Sequence, residues 1–250
     1  MQAKKMFRFS ITVLLALCSG SLFAAEIRVA VASNFSKAMK AIAGQFETIT
    51  EHQVKLSFGS TGKHYAQIIN GAPFDAFFAA DTHRPELLEK NGHALAGSRF
   101  TYAVGKIVLW SPQPGYVDSQ GNVLKQGQFR YLSMANPKLA PYGMAAQEIL
   151  QTQGLWDELS VQFVRGENIA QAYQFVKSGN ADLGFVAWSQ LVNADHVVEG
   201  SYWTPPQSLY TPIEQQAVKL TDNEAVDALM SFIRSREGIE IIHEYGYDTR

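Results

Sequence analysis

Cysteine is almost absent from this 250-residue sequence, in which Cys18 is the only one. A chain with one cysteine cannot form an internal disulfide, so its stability has to come from a buried core. Basic residues are not in excess either, with 21 Lys and Arg against 23 Asp and Glu and a formal net charge of −2. Because no basic stripe is present, a nucleic-acid-binding protein is excluded on charge grounds.

Signs of a metal site or of a catalytic site are also missing. The six histidines show no i, i+4 pair and no other spacing typical of metal ligands, and we expect them on the surface. Ser60, in "GSTG", does not have the spacing of a G-x-S-x-G nucleophile elbow. Asp75 and Asp81 flank one strand and could form a catalytic carboxylate pair, although structural pairing or capping is the simpler role. No nucleophile–base pair in a recognised spacing indicates an enzyme.

A long apolar run occurs only near the N-terminus. Three basic residues precede "FSITVLLALC", which is too short to span a bilayer comfortably, and small residues follow in "SGSLFAA". This order predicts a secretory signal peptide, residues 1–25, cleaved after Ala24 or Ala25, with an uncleaved anchor as the alternative. Leu17 stands where a lipobox has a small residue, which argues against lipidation of Cys18.

Removal of residues 1–25 would change both the charge and the cysteine count. The mature chain would have 18 Lys and Arg against 23 Asp and Glu, a net charge of −5. It would also lose its only cysteine. We therefore expect an acidic, exported protein whose fold does not depend on disulfides.

After residue 25 the sequence alternates between strand and helix patterns. "EIRVAVASNF" precedes "SKAMKAIAGQFETIT", in which apolar residues recur at the helical period, and the alternation restarts at "KIVLWSP". Such alternation predicts an α/β protein with parallel sheets. We expect two lobes, 26–103 with 212–250 and 104–211, joined by extended crossovers near residues 100–106 and 208–214.

Four predicted helix starts carry polar side chains or glycine-freed backbone. In parallel α/β sheets ligands bind where helices begin, and each start offers unpaired N–H groups at the positive end of the helix dipole. Two starts from each lobe, facing across a cleft, would form a neutral cage of donors for a small oxyanion. Taken singly, each polar residue is more simply an N-cap, and Tyr142 is more simply a packing residue. The starts follow Ser33-Asn34, Ser60-Thr61-Gly62, Pro141-Tyr142-Gly143 and Glu167-Asn168-Ile169.

Longer segments of the sequence carry a family pattern in a fixed order. They include "VAVASNFSKAMKAIAGQFE", "SFGSTGKHYAQIINGAPFDAFFAAD", "NPKLAPYGMAAQEIL", "NADLGFVAW" and "YTPIEQQAV". Together they resemble periplasmic molybdate-binding proteins of ABC transporters, from about residue 26 to the C-terminus. The resemblance implies a two-lobed type II periplasmic binding protein fold. Each lobe would be a mostly parallel sheet flanked by helices, with the ligand cleft between the lobes.

The same resemblance implies which residues bind the ligand. Ser33 and Asn34 fall at the first oxyanion-binding turn of the family. Thr61 falls at the position of a ligand hydroxyl, with Ser60 beside it, and Ile169 falls at a backbone N–H donor of the second lobe. Molybdenum would be bound only as its oxyanion, with no protein atom on the metal and no cofactor.

The second lobe departs from one family pattern. Members with a donor tyrosine after the last strand of this lobe differ from this chain, which has Ala187 there. Tyr142, in "APYG", matches a branch of the family in which that tyrosine supplies the hydroxyl, so one phenol donor is kept. Lys63 is the only basic residue beside the four helix starts, and we expect it to point to solvent.

The function implied by the resemblance is that of a soluble periplasmic receptor. It would capture molybdate, and tungstate as well, and deliver the anion to the membrane permease of an ABC transporter. We expect a monomer that is not an enzyme. The alternatives are a receptor for another oxyanion, such as sulfate or phosphate, or for an organic ligand, and a secreted hydrolase.

Overall fold

The computed structural model describes residues 25–192 and 198–250. The signal peptide predicted for residues 1–25 therefore lies outside the described residues, apart from Ala25. Within these two ranges, no helix combines the length and the apolar character needed to cross a membrane.

The chain forms ten strands and ten α-helices in the described ranges. The strands are β1 Glu26–Ala32, β2 Gln53–Gly59, β3 Ala76–Phe78, β4 Phe100–Gly105, β5 Ile107–Ser111, β6 Leu132–Ala135, β7 Phe163–Gly166, β8 Leu183–Ala187, β9 Ser201–Trp203 and β10 Ile213–Lys219. The helices are α1 Ser36–Thr50, α2 Thr61–Ile69, α3 His83–Lys90, α4 Val123–Gln126, α5 Pro141–Thr152, α6 Trp156–Leu159, α7 Ile169–Lys177, α8 Trp188–Leu191, α9 Glu224–Ile233 and α10 Arg236–Glu244. Short 3-10 turns lie at Ser33–Phe35, Ser160–Gln162 and Gln207–Leu209.

The strands form two five-stranded sheets with the same arrangement. Their orders are β2-β1-β3-β10-β4 and β7-β6-β8-β5-β9. In the first sheet β1 pairs in parallel with β2 and β3, whereas β10 runs antiparallel to β3 and β4. In the second sheet β6 pairs in parallel with β7 and β8, whereas β5 runs antiparallel to β8 and β9. The predicted two-lobed α/β fold is confirmed. Both sheets are mixed, because β10 in the first sheet and β5 in the second run antiparallel to their neighbours.

Sheet membership changes twice along the chain. The first change is at Lys106, between the end of β4 and the start of β5, and the second lies between β9 and β10. Helices α9 and α10 then pack on the first sheet, against α1. The lobe boundaries of 26–103 with 212–250 and 104–211 stay a prediction.

Each sheet has its own hydrophobic core, formed by one face of the sheet and by the apolar faces of the helices that cover it. In α1 the buried apolar residues Met39, Ile42 and Phe46 recur every three or four positions, so one face of the helix covers β1 and β2. The second sheet has an equivalent core in which α5 and α7 cover β6 and β8. This packing fixes the helix starts at the carboxyl ends of the parallel strands, where the two lobes face each other.

Candidate functional site

A small cavity lies between the lobes at four helix starts. None of its lining side chains is charged. Besides Asn168 and the six residues named next, the lining consists of alanine, glycine and proline. The six residues that the sequence associates with the ligand all line this cavity: Ser33, Asn34, Ser60, Thr61, Tyr142 and Ile169. The structure thus brings together residues that are up to 136 positions apart in the chain.

The start of α2 presents two hydroxyl groups to the cavity. Ser60 Oγ accepts the Lys63 N–H at 3.3 Å, and Thr61 Oγ1 accepts the Ala80 N–H at 3.0 Å. A hydroxyl that accepts one bond still has its own hydrogen to donate. Thr61 is also the first residue of α2, so its N–H has no acceptor within the helix. Both residues are buried, and both can donate to a ligand.

The 3-10 turn Ser33–Phe35 holds Asn34 by its side chain. Asn34 Nδ2 donates to Gln215 Oε1 at 2.8 Å and to the Tyr247 hydroxyl at 3.0 Å, so both amide hydrogens are used inside the protein. The donor that Asn34 can offer to the cavity is its backbone N–H. The Ser33 hydroxyl, which is buried at the cavity, has no hydrogen bond to any residue of the described ranges.

Tyr142 supplies a phenol from the second lobe. It is the second residue of α5, after Pro141, and only 1 % of its surface is exposed. Burial raises the pKa of the Tyr142 phenol well above its usual value, so the group stays neutral and keeps its hydrogen. Its oxygen accepts Gln215 Nε2 at 3.3 Å, and no described residue accepts its hydrogen. The backbone N–H of Tyr142 is also free, since it lies in the first turn of α5.

The start of α7 contributes a backbone donor. Asn168 caps this helix, and its Oδ1 accepts the N–H groups of Ala170 and Gln171 at 3.0 and 3.1 Å. The cap leaves the N–H of Ile169, the first helical residue, without a partner. The Ile169 carbonyl is held from behind by Gln190 Nε2 at 3.1 Å. The Asn168 cap and the Gln190 hydrogen bond therefore both hold the backbone of Ile169 in place, and with it the direction of its N–H.

The cavity can stabilise negative charge with neutral groups. Helix N-termini point unpaired N–H groups and a positive dipole end at the space between them, and hydrogen bonds to a charged acceptor are stronger than neutral ones. A buried anion would find donors from four directions without any cationic side chain in the lining. The arrangement suits the binding of a small anion rather than chemistry on it.

The carboxylates considered as catalytic candidates are engaged elsewhere. Asp75 Oδ2 accepts the Arg28 N–H at 2.8 Å, and its Oδ1 accepts the Thr221 hydroxyl at 3.0 Å. Asp81 forms an ion pair with Arg84 and accepts its N–H at 3.0 Å. These are structural pairs, which was the simpler of the two roles expected from the sequence.

A wider groove of about 520 Å³ adjoins the cavity but differs from it in chemistry. The two share Ala80 and Pro141. The charged side chains of the groove include Asp81, Arg84 and Glu214. Asp81 is paired with Arg84, and Glu214 is paired with Arg250 at 2.6 Å. Although the groove is larger, the cavity is the better candidate because several of its hydroxyl and backbone donors have no partner in the described ranges and its lining carries no charged side chain.

The lobes touch each other around the cavity. The Gly62 N–H donates to the Leu139 carbonyl at 2.8 Å, which joins the start of α2 to the loop before α5. Lys63 Nζ lies 2.9 Å from Glu167 Oε1, so Lys63 crosses the cleft instead of pointing simply to solvent. Arg84 Nη2 reaches the Lys138 carbonyl at 3.2 Å. The described structure is therefore a closed one.

A second set of lobe-to-lobe contacts joins α1 and the turn before it to α8 and the residue after it. Lys37 Nζ, from α1, donates to the carbonyls of Gln190 and Val192 at 2.9 and 3.2 Å. Ser189 Oγ donates to the Asn34 carbonyl at 3.2 Å. These contacts join the first binding turn of one lobe to the segment that supports Ile169 in the other.

The expectation that all histidines lie on the surface is wrong for His64. It is 2 % exposed, packs edge-on against Phe74 and Phe77, and its Nε2 has no hydrogen-bond partner. A Cβ on Gly59 would lie only 2.9 Å from His64 Nε2, so this glycine makes room for the ring under the binding turn. The helical spacing of Thr61, His64 and Ile68, all buried, is the signal that places the ring inside.

Three further residues support the site and carry no local sequence signal. Gln215 and Tyr247 hold the Asn34 side chain, and Ser189 contacts the Tyr247 hydroxyl at 2.9 Å. They lie 58 to 213 positions from the residues that they contact. Only the folded chain brings them together.

Comparison with known proteins places the chain among bacterial binding proteins. A family model described as bacterial extracellular solute-binding protein matches residues 27–248. The molybdate-binding protein ModA of Azotobacter vinelandii is 55% identical over 227 residues, 90% of each sequence. ModA of Rhodobacter capsulatus is 45% identical over 90% of this chain and 89% of its own length. The solved periplasmic molybdate-binding protein of Azotobacter vinelandii has a TM-score of 0.87 and 44% identity, over 90% of this chain and 99% of that one.

Proposed function

The chain belongs to the family of bacterial extracellular solute-binding proteins, and within it we propose that this protein is the molybdate receptor of an ABC transporter. The resemblance inferred from the sequence segments is confirmed by the relatives, which are binding proteins and not enzymes. The observation that carries the proposal is the charge-free cavity in which donors from four helix starts converge.

The donor set favours an anion that is fully deprotonated at neutral pH. A protonated oxyanion would place an O–H against donors that cannot accept it, and an unmatched buried polar group is costly. Phosphate at neutral pH is therefore disfavoured. Sulfate is a dianion too, but it is smaller, so its oxygens would lie at longer and weaker distances from the same donors. Tungstate, which has nearly the size and the charge of molybdate, is proposed as a second ligand.

The binding residues are proposed from their place in the cavity. Ser33, Ser60 and Thr61 donate hydroxyl hydrogens, and Asn34 and Ile169 donate backbone N–H groups. Tyr142 adds its phenol from the second lobe. No cofactor and no direct metal ligand are part of the proposal, because molybdenum is held through its oxygens.

Delivery requires a membrane permease and export of the receptor. The relatives are the binding components of ABC transporters, so a permease partner and periplasmic export follow for this family. We propose that export uses the signal peptide at residues 1–25 and that the mature receptor works as a monomer. Residues 26–103 with 212–250 are proposed as the lobe that binds through Asn34 and Thr61.

Titration calorimetry with a panel of oxyanions tests the proposal on the mature chain. Molybdate and tungstate should bind with similar affinity, and sulfate and phosphate should bind more than about tenfold more weakly, the equivalent of about 1.4 kcal/mol. Binding of sulfate or phosphate within that margin would contradict the molybdate assignment and favour a receptor for another oxyanion.

A further inference from the structure

Gln215 is a buried amide at the centre of a hydrogen-bond network that touches both lobes. It lies on β10 and is 0 % exposed. Its Oε1 accepts Asn34 Nδ2 at 2.8 Å and the Tyr102 hydroxyl at 3.0 Å. Its Nε2 donates to the Tyr142 hydroxyl at 3.3 Å. One side chain therefore links the first binding turn to the phenol of the second lobe.

The direction of these hydrogen bonds is set by Tyr247. The single hydrogen of the Tyr247 hydroxyl goes to the Asn34 carbonyl at 2.7 Å or to Ser189 Oγ at 2.9 Å, and in both cases its oxygen accepts Asn34 Nδ2 at 3.0 Å. The same Nδ2 faces Gln215, which requires the amide oxygen of Gln215 on that side. The amide nitrogen of Gln215 must then face Tyr142, which can only accept from it.

We propose that Gln215 is a positioning residue that makes Tyr142 a committed donor to the bound oxyanion. Because Gln215 occupies the Tyr142 oxygen as a donor, the phenolic hydrogen cannot turn towards Gln215 and is directed into the cavity. This inference rests on the proposed oxyanion-binding function. Gln215 would not contact the ligand itself. It would fix the direction in which the Tyr142 hydroxyl donates its hydrogen.

The backbone around the pair leaves room for this arrangement. A Cβ on Gly105, the last residue of β4, would lie 2.1 Å from the Tyr142 oxygen and 2.6 Å from Gln215 Nε2. The β10–β4 register also shifts between Gln215 and Gln216, whose partners are Ala103 and Thr101. The skipped residue on β4 is Tyr102, whose hydroxyl meets Gln215 Oε1. The absent side chain of Gly105 and the bulge in the β10–β4 pairing therefore both make room for the Gln215 amide and its contacts.

The substitution Gln215→Glu reverses the direction of the bond to Tyr142. A carboxylate can only accept, so it would draw the phenolic hydrogen away from the ligand and add a negative charge near the cavity. Loss of one hydrogen bond to a charged ligand corresponds to a roughly 10- to 150-fold weaker affinity, and the added charge deepens the loss. Because burial raises the pKa of a carboxyl at this position, the loss should be measured at alkaline pH, where calorimetry should show molybdate binding weakened by at least the lower figure.

Lowering the pH should restore part of the affinity of Gln215→Glu. A protonated carboxyl can accept from Asn34 and donate to Tyr142, as the amide does. The titratable groups that face this position are Tyr102 on β4, Tyr142 on α5 and Tyr247 after α10, and burial raises the pKa of each. They stay neutral over the range tested. Wild type measured at each pH removes any change that belongs to the ligand itself.

The neighbouring residue offers a matched charge control. Gln216 lies on the opposite face of β10, where its Oε1 accepts Arg99 Nη1 at 2.8 Å and its Nε2 donates to Thr101 Oγ1 at 3.3 Å. The variant Gln216→Glu adds the same charge to the same strand but meets Arg99 instead of Tyr142. It should bind molybdate as wild type does.

A double-mutant cycle separates positioning from simple packing. Gln215→Met removes the donor without adding charge, and it should weaken molybdate binding more in wild type than in a Tyr142→Phe background, where only its contact with Asn34 is left to lose. Thermal unfolding of each variant without ligand shows that it is folded. Equal losses in both backgrounds, or a Gln215→Glu loss that does not change with pH, would overturn the inference. Failure of wild type to bind molybdate would instead overturn the proposed function.

Discussion

Lys63 Nζ lies 2.9 Å from Glu167 Oε1, and this ion pair joins the start of α2 in one lobe to the loop before α7 in the other. Both side chains are well exposed, 53% and 36%, and neither lines the cavity. The pair therefore does not contact a ligand in the cavity, and its direct effect is to favour closure of the lobes. A positively charged residue next to an anion site does not have to be a ligand of the anion.

Lys63→Ala should weaken molybdate binding by less than about fivefold, because exposed ion pairs contribute little. The effect should shrink further as salt is raised, since salt screens exposed charges. Calorimetry at low and high salt measures both, with Lys55→Ala, an exposed lysine on β2 of the same lobe, as the control. A salt-resistant loss of tenfold or more would mean that Lys63 reaches the ligand.

Ile169→Pro removes one proposed ligand donor at a position where proline is tolerated. Ile169 is the first residue of α7, and the preceding Asn168 is extended, with φ −143° and ψ 172°. Loss of the N–H should weaken molybdate binding roughly 10- to 150-fold. Ile169→Val keeps the N–H and trims the buried side chain, so it controls for packing. Similar affinities of the two variants would show that this N–H does not bind the ligand.

Lys37→Met should speed up ligand release. Lys37 Nζ caps the carbonyls of Gln190 and Val192 only when the lobes are together, and methionine keeps much of the side-chain length without the donors. We expect a faster dissociation rate for molybdate and a nearly unchanged association rate, because the contact forms after the ligand has entered. Stopped-flow measurement of both rates tests this. Lys40→Met, on the same helix but with its ammonium over the Phe58 ring instead of against the second lobe, is the matched control, and an equal effect there would contradict the role of Lys37.

His64 should make folding stability depend on pH. Burial lowers the pKa of His64, so the folded state favours the neutral ring. The unfolded chain takes up a proton as the pH falls through about 6.5, and the folded protein does so only at lower pH, so the free energy of unfolding should decrease below that value. Urea titrations of wild type and of His64→Gln at several pH values measure this. If the decrease persists unchanged in His64→Gln, another group causes it.

The helix starts could be predicted from the sequence because their signals are local. Ser60 and Asn168 cap helices through hydrogen bonds to residues two or three positions ahead, so a short stretch of sequence contains the whole motif. The alternation of strands and helices is local as well. From these two signals the lobes, the cleft and a donor cage could be expected.

The residues that orient the donors could not be predicted in this way. Asn34 and Gln215 are 181 positions apart, and Asn34 and Tyr247 are 213 apart. A glutamine on a strand has no pattern that separates a buried network from an exposed edge. The Lys63–Glu167 pair was missed for the same reason, since only closure of the lobes brings the two charges together.

The absence of a side chain at Gly105 has a consequence for the sequences of related receptors. A side chain at this position and a phenol at position 142 would compete for one volume, because a Cβ there would lie 2.1 Å from the tyrosine oxygen. Receptors that carry the tyrosine of "APYG" should therefore also carry glycine at the end of β4. In receptors that have the tyrosine at the position of Ala187 instead, the residue at the position of Gly105 is not constrained by that phenol, and other side chains should occur there. The two positions should covary, and a set of aligned relatives would serve as a natural mutagenesis experiment.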